Sequence, residues 1–186
     1  CFRHFDKVFN ELSGKTWGIA GLGSIGRRVA DVAKAFGCRV VYFSASGHTY
    51  DTEFKRVSFD ELLENSDIIS IHAPLNDKTN NLFDDAAFAK MKKNAVLLNL
   101  GRGPIVNNAA LTKALKENII AGAGLDVIDK EPIAADNPLL EIQDSSKLII
   151  TPHIAWATYE ARVRLMDEVY ENIKAFEAGE SRNAVV

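Results

Sequence analysis

The sequence predicts an α/β fold in which helices cover both faces of a doubly wound parallel sheet of six or seven strands. Three observations carry this prediction. Short apolar runs rich in Val and Ile recur, each beginning roughly 25 residues after the last, which leaves room for a crossover helix. The segments between them place apolar residues at three- and four-residue steps, as amphipathic helices do. With 47% hydrophobic and 25% charged residues, the 186-residue chain can also bury one core.

The predicted strands are short, and most of them end at Gly, Ser, Pro or Asp. They are Thr16–Ala20, Arg39–Phe43, Asp67–Ile71, Ala95–Leu100, Ile119–Leu125 and Lys147–Ile150. The predicted helices are Ile25–Phe36, with Ile25, Val29, Val32, Ala33 and Phe36 on one stripe, then Asn108–Asn118 and Thr158–Ala178. Residues Asp129–Ser146 contain Pro132 and Pro138, so we expect a long loop there with one helical turn.

Composition and charge exclude several classes of protein. No apolar run approaches the roughly 20 residues of a membrane helix. A net charge of −3 gives no basic surface that would favour nucleic acid. The two cysteines, Cys1 and Cys38, fit a reducing compartment, and the first residues lack the apolar core of a signal peptide, so we expect a cytoplasmic protein. No Cys/His cluster has metal-ligand spacing, so we expect no metal.

A glycine-rich loop, Gly21-Leu22-Gly23-Ser24-Ile25-Gly26, connects the first predicted strand to the first predicted helix. In the G-x-G-x-x-G pattern, Gly21 makes a tight turn and Gly23 lets the backbone approach a pyrophosphate. Gly26 lets the helix and the strand pack closely. Amides at the helix start then face the anion, and the helix dipole adds to the attraction. This strand–turn–helix context predicts a Rossmann-like dinucleotide site.

The end of the second predicted strand leaves the choice of cofactor open. An acidic residue there would bind the adenosine ribose hydroxyls and repel the extra phosphate of NADP. This sequence has Ser44 instead, which can donate a hydrogen bond without repelling phosphate, and no arginine stands near it in the sequence. His48 could meet a phosphate, although a solvated turn histidine is the preferred interpretation. We therefore expect NAD, and NADP stays open because Ser44 replaces the usual acidic residue.

Further motifs follow the glycine loop in a fixed order. They are His72-Ala73-Pro74-Leu75, Asn99-Leu100-Gly101-Arg102-Gly103, Gly124-Leu125-Asp126-Val127 with Glu131-Pro132, and Thr151-Pro152-His153-Ile154-Ala155. Over roughly Glu11 to Arg164, this set resembles the D-isomer-specific 2-hydroxyacid dehydrogenases. The stretch Thr151–Arg162, with Trp156 after the histidine, is most similar to the branch of glycerate, hydroxypyruvate and glyoxylate reductases.

The resemblance implies roles for individual residues. Arg102 would bind the substrate carboxylate, and His153 would be the acid–base. Glu131 would hold the imidazole and favour its charged form. Contacts to the cofactor are implied for Gly21, Gly23, Ser24, Ile25, Gly26, Ser44, Ala73, Pro74 and Asp126. His72 matches a position better known for backbone contacts, and His4 is expected at the surface.

Taken alone, each of the three implied catalytic residues would be interpreted as a surface or loop residue. Their placement favours a common site, because Arg102 and His153 follow predicted strand ends and Glu131 lies in the loop after another. Open parallel sheets bind ligands at the carboxyl ends of their strands.

The resemblance also implies a domain plan. Residues 1–12 would lead in from a missing N-terminal substrate domain, residues 13–155 would form the dinucleotide-binding domain, and residues 156–186 would form a C-terminal helix leading back. We expect a homodimer that transfers a hydride between NAD(P)H and a small 2-oxo acid, with little turnover by this chain alone. The alternative is an NAD(H)-sensing, corepressor-like binding protein of the same fold. Glu131 disfavours a formate dehydrogenase.

Overall fold

A computed structural model describes residues 9–184. Cys1, His4 and most of the expected lead-in 1–12 therefore lie outside the described residues. The chain divides into two compact units, Cys1–Thr151 and Pro152–Val186.

In the first unit, seven parallel strands form one sheet in the order β3-β2-β1-β4-β5-β6-β7. The elements are β1 (Thr16–Ala20), α1 (Ser24–Ala35), β2 (Arg39–Phe43), β3 (Lys55–Arg56), α2 (Phe59–Asn65), β4 (Ile68–Ile71), α3 (Asp85–Lys90), β5 (Val96–Asn99), α4 (Asn108–Lys116), β6 (Gly122–Leu125) and β7 (Leu148–Ile150). Single 3-10 turns occupy Gly103–Ile105 and Pro138–Glu141. The prediction of a doubly wound parallel sheet is confirmed.

Alternate strand residues supply two cores, one on each face of the sheet. On one face, Ile19, Val40 and Tyr42 pack with α1 through Ala30 and Ala33. The opposite face carries the larger core, in which strand residues pack against α2, α3 and α4. That core includes Ala20, Ile69, Ile71, Leu97, Leu62, Phe88 and Leu111. Strands buried on both faces explain why the apolar runs in the sequence are continuous and do not alternate with polar residues.

The face of helix α1 that packs on the sheet differs from the apolar stripe that the sequence predicts. Its buried residues are Gly26, Ala30 and Ala33, whereas Ile25, Val32 and Phe36 are each more than half exposed. The reason is a close approach at Gly26, where an added Cβ would lie 2.1 Å from the Gly21 carbonyl oxygen. Small side chains therefore fill most of the contact between this helix and the sheet. Of the predicted stripe, Val29 is partly buried against the same core, whereas Ile25, Val32 and Phe36 point outward.

The strands end in register, which fixes where the loops of a site would lie. Phe43, Ala20, Ile71, Asn99, Leu125 and Ile150 form one row of paired residues across the sheet. The segments that follow them therefore leave the sheet at a single edge.

The second unit contains one long helix, α5 (Tyr159–Glu177). Thr158 caps it, since its Oγ1 accepts a hydrogen bond from the Ala161 amide at 3.3 Å. Most of its apolar side chains are exposed, including Met166, Tyr170 and Ile173. Across residues 9–184, no helix combines the length and the apolar character that crossing a membrane requires.

Candidate active site

The glycine loop between β1 and α1 is the best-defined part of the site. Gly21 has φ +99°, and a Cβ there would lie 2.7 Å from the Ala73 amide nitrogen. That conformation and that contact both require glycine. Gly23 differs, because a Cβ on it would meet nothing within 4 Å. The loop is thus packed tightly at Gly21 against the segment that follows β4, and it is open at Gly23.

The start of α1 suits an anion. Its N-cap is Gly23, which offers no side-chain acceptor, and its first turn carries no acidic residue. Backbone amides at a helix start need acceptors, and the helix dipole adds a partial positive charge there. The amides of Ser24 and Ile25 could therefore hold a pyrophosphate above the open face of Gly23.

A cleft of about 180 Å³ opens beside this loop, at the point where the strand order reverses between β1 and β4. It brings together Gly21, Gly23, Ser44, Ala73 and Pro74, which come from three separate segments of the chain. Open α/β sheets bind their ligands at such a reversal point. Of the other predicted cofactor residues, Ser24, Ile25 and Gly26 continue from the loop into α1, and Asp126 follows β6 further along the edge.

His72 lines the same cleft in a neutral form. The indole Nε1 of Trp17 donates to Ser70 Oγ at 2.9 Å, and the same hydroxyl is hydrogen-bonded to His72 Nε2 at 3.0 Å. His72 Nδ1 is buried and meets no hydrogen-bond partner among the described residues. Burial lowers the His72 pKa to about 4, so the ring is uncharged at neutral pH.

Arg102 sits on a turn that the buried side chain of Asn99 holds in place. Asn99 Nδ2 donates to the Arg102 carbonyl oxygen at 3.0 Å, and its Oδ1 accepts from the Gly101 amide at 3.1 Å. The exposed guanidinium donates through Nη1 to the Gly101 carbonyl oxygen at 2.8 Å. Sequence reasoning did not assign this role to Asn99, since it depends on contacts that only the folded turn makes.

The Arg102 turn packs directly on the loop that carries Glu131. A Cβ on Gly103 would lie 1.8 Å from the Ile128 carbonyl oxygen, so the two backbones touch. In that second loop, the Ile128 amide donates to Glu131 Oε1 at 3.3 Å. Arg102 and Glu131 are therefore carried by adjoining loops at the carboxyl ends of β5 and β6.

Asp126 connects the ends of three strands. Its amide donates to the Asn99 carbonyl oxygen at 2.9 Å, and its buried carboxylate accepts from Thr151 Oγ1 at 2.5 Å. This pairing joins the ends of β5, β6 and β7, and the sequence gives no sign of the part that Thr151 plays. A fixed carboxylate at this edge could accept a hydrogen bond from an amide of a ligand.

His153 belongs to the second unit, three residues beyond the end of β7 along the chain. Its φ of +53° places it in the left-handed region, which non-glycine residues adopt uncommonly. The side chain is partly buried. Within residues 9–184, no group of three His, Cys, Asp or Glu side chains could hold a metal ion.

Comparison with known proteins agrees with this geometry. Residues 2–155 match the family model described as D-isomer specific 2-hydroxyacid dehydrogenase, NAD binding domain. A glyoxylate reductase of Korarchaeum cryptofilum is 42% identical over 91% of this chain and 51% of its own length. A glycerate dehydrogenase of Methylorubrum extorquens is 39% identical over 99% of this chain and 57% of its own length.

Among solved structures, an acyclic imino acid reductase in complex with NADPH and D-Arg superposes with a TM-score of 0.89 at 34% identity. The match covers all of this chain and 59% of that one. The chain thus spans little more than half the length of the relatives it matches. The family model covers most of the chain. The chain therefore belongs to the D-isomer-specific 2-hydroxyacid dehydrogenases and contains their NAD-binding domain.

Proposed function

We propose that this chain binds NAD(P)H for an oxidoreductase that reduces the carbonyl of a small 2-oxo acid to a D-2-hydroxy acid. The observation that carries the proposal is the aligned row of strand ends. That row puts the Gly21–Gly26 loop, the Arg102 turn and the Glu131 loop at one edge of the sheet. The named relatives, a glyoxylate reductase and a glycerate dehydrogenase, support this class of substrate.

The glycine loop, the amides of Ser24 and Ile25, and the cleft beside Ala73 and Pro74 would hold the dinucleotide. Asp126 would meet its carboxamide. When bound, the nicotinamide ring supplies or accepts the hydride. The structure fits such a group, since Gly23 leaves open space where a pyrophosphate would lie above unpaired helix amides.

Arg102 would bind the substrate carboxylate, because its planar fork can pair with two oxygens at once. His153 would hold the proton that the carbonyl oxygen takes up during reduction, and it would accept the hydroxyl proton in the reverse direction. Glu131 would act as a positioning residue that favours the charged imidazole. These three roles rest on the family motifs, and they complement one another chemically.

The test is turnover of glyoxylate and hydroxypyruvate by this chain and by any longer protein that contains it. Transfer of a hydride needs a cleft from which water is excluded, so we expect this chain to bind cofactor but to turn over little. In an active longer protein, His153→Ala should lower kcat by at least about 1,000-fold while leaving the dinucleotide Kd within about twofold. Arg102→Lys should chiefly raise KM for the acid.

Two results would contradict the proposal. Turnover by His153→Ala at the wild-type rate would remove His153 from the mechanism. A longer protein that binds NADH tightly but reduces no 2-oxo acid would favour a dinucleotide-sensing protein instead.

A further inference from the structure

An arginine from the edge strand lies against the loop that follows β2. Residues 44–50 form this loop, and Ser44, Ser46 and Tyr50 line the dinucleotide cleft. Arg56 Nη1 donates to Thr49 Oγ1 at 3.0 Å, and its Nη2 lies 3.8 Å from the position that a Cβ on Gly47 would take. The parallel pairing of Tyr42 with Arg56 brings this side chain to the loop.

Tyr50, which lines the cleft, carries a second cation against its ring. Its amide donates to the Tyr42 hydroxyl at 3.1 Å, which fixes the ring beside the end of β2. The Arg27 guanidinium carbon lies 4.8 Å from the Tyr50 ring centroid, a cation–π distance. The His48 ring packs edge-on against Tyr50 with centroids 4.5 Å apart. Two arginines and a histidine therefore lie on the loop that follows β2.

Negative charge is sparse on this wall. Residues 44–50 include no carboxylate, and the acids that follow are Asp51 and Glu53. Glu53 accepts from Lys34 Nζ at 2.5 Å, so its charge is already compensated. The hydroxyls of Ser44 and Ser46 lie 3.1 Å apart and add hydrogen-bond donors. The loop has the chemistry of a phosphate site, with hydroxyls and guanidinium groups.

We infer that Arg56, with Arg27, binds a phosphate on the 2′-oxygen of the adenosine ribose, so that the chain prefers NADP(H) to NAD(H). In this fold, residues near the end of β2 bind the adenosine ribose. A carboxylate there binds the 2′-hydroxyl of NAD, whereas an arginine binds the 2′-phosphate of NADP. The inference rests on the proposed function, because it needs a dinucleotide in the cleft. Sequence reasoning found no arginine here, since Arg56 is distant along the chain and arrives only through β3.

The experiment is a titration of the 186-residue chain with NADPH and with NADH, followed by tryptophan fluorescence. Loss of a charge-assisted contact to phosphate lowers affinity about 10- to 100-fold. We expect NADPH to bind at least about tenfold more tightly than NADH. Arg56→Gln should weaken NADPH by at least about tenfold and leave NADH within about twofold.

Lys55→Gln is the matched control. Lys55 precedes Arg56 on the same edge strand and is also exposed, but successive strand residues point to opposite faces. It should leave both affinities unchanged. A measurement on unmodified protein guards against misfolding of a variant: adenosine 2′,5′-bisphosphate should displace NADPH far better than 5′-AMP does.

The outcomes separate the two claims. Failure of the folded chain to bind either dinucleotide would overturn the proposed function and this inference with it. Equal affinity for NADH and NADPH would overturn the inference alone. A preference for NADPH that survives Arg56→Gln would also overturn it, because another group would then hold the phosphate.

Discussion

The contact between Gly103 and the loop that carries Glu131 makes the sharpest steric prediction. In Gly103→Ala, the new Cβ would lie 1.8 Å from the Ile128 oxygen and 1.9 Å from the Ile128 carbonyl carbon. Ordinary van der Waals contact begins at 3.4 Å, so the two backbones must separate by about 1.6 Å. No flexible side chain can absorb that shift. We expect a loss of about 3 kcal/mol in the free energy of unfolding, at the upper end of overpacking effects.

Thermal denaturation followed by circular dichroism measures this loss directly. For a chain of this size, about 3 kcal/mol corresponds to a Tm lower by roughly 6 to 12 °C. NADPH affinity should change little, because the glycine loop follows β1, two strands away from β5. Turnover in an active longer protein should fall at least about 100-fold, since a shift of this size misplaces Arg102.

Gly124→Ala is the matched control, because its Cβ would lie 3.0 Å from only the flexible Leu98 Cδ2 atom. Its Tm should fall by no more than about 3 °C. If Gly103→Ala melts within about 2 °C of the wild type, the Arg102 turn is not held by its packing on the loop that carries Glu131.

Two further predictions concern buried polar groups. His72 has its pKa lowered to about 4 by burial, below the ordinary 6.5, so the unfolded state binds more protons between these values. The stability that neutral His72 contributes is complete above about pH 6.5, and about 2 kcal/mol of it is lost as pH falls toward 4, after allowing for partial exposure. In urea titrations, His72→Asn should reduce the dependence of the free energy of unfolding on pH. A dependence equal to that of the wild type would contradict the lowered pKa of His72. Thr151→Val removes the hydroxyl that donates to the buried Asp126 carboxylate, so it should lower the free energy of unfolding by about 1 to 3 kcal/mol at pH 7. A urea titration that gives the wild-type free energy of unfolding would count against a charge-assisted bond.

The sheet is predictable from the sequence where strands are apolar. β1 and β2 match the predicted bounds at both ends, because Val- and Ile-rich runs stop at Gly21 and Ser44. β3 was missed, since its two residues, Lys55 and Arg56, are both charged and form an exposed edge.

The shorter helices α2 and α3 were not predicted, for a related reason. α2 has seven residues and α3 has six, too few for a clear amphipathic period. The sequence does contain a signal for α2, because Ser58 and Glu61 form a capping box. The start of this helix could have been predicted from that pair.

Some features of the candidate site are likewise predictable from the sequence, and others are not. The contiguous motif Gly21–Gly26 was identified from its spacing together with the predicted strand before it and the predicted helix after it. Contacts between distant segments were not, because they depend on which strands are neighbours. Arg56 reaches the end of β2 only through the pairing of β2 with β3, and Gly103 meets Ile128 only because β5 lies beside β6.

The proposed position of the dinucleotide's pyrophosphate is the open face of Gly23. Gly23→Asp probes this position, because Gly23 has an ordinary φ of −78° and a Cβ there meets nothing within 4 Å. Aspartate is also a good N-cap, so Tm should be unchanged or higher. Its carboxylate would occupy the position of the pyrophosphate and would repel the negative charge of that group.

The decisive measurement is the dinucleotide affinity of Gly23→Asp beside that of the wild type, by fluorescence titration of Trp17 and Trp156. We expect saturable binding of NADPH or NADH by the wild type and a loss of at least about 100-fold in a variant that is fully folded. Wild-type affinity in folded Gly23→Asp would mean that the pyrophosphate binds elsewhere.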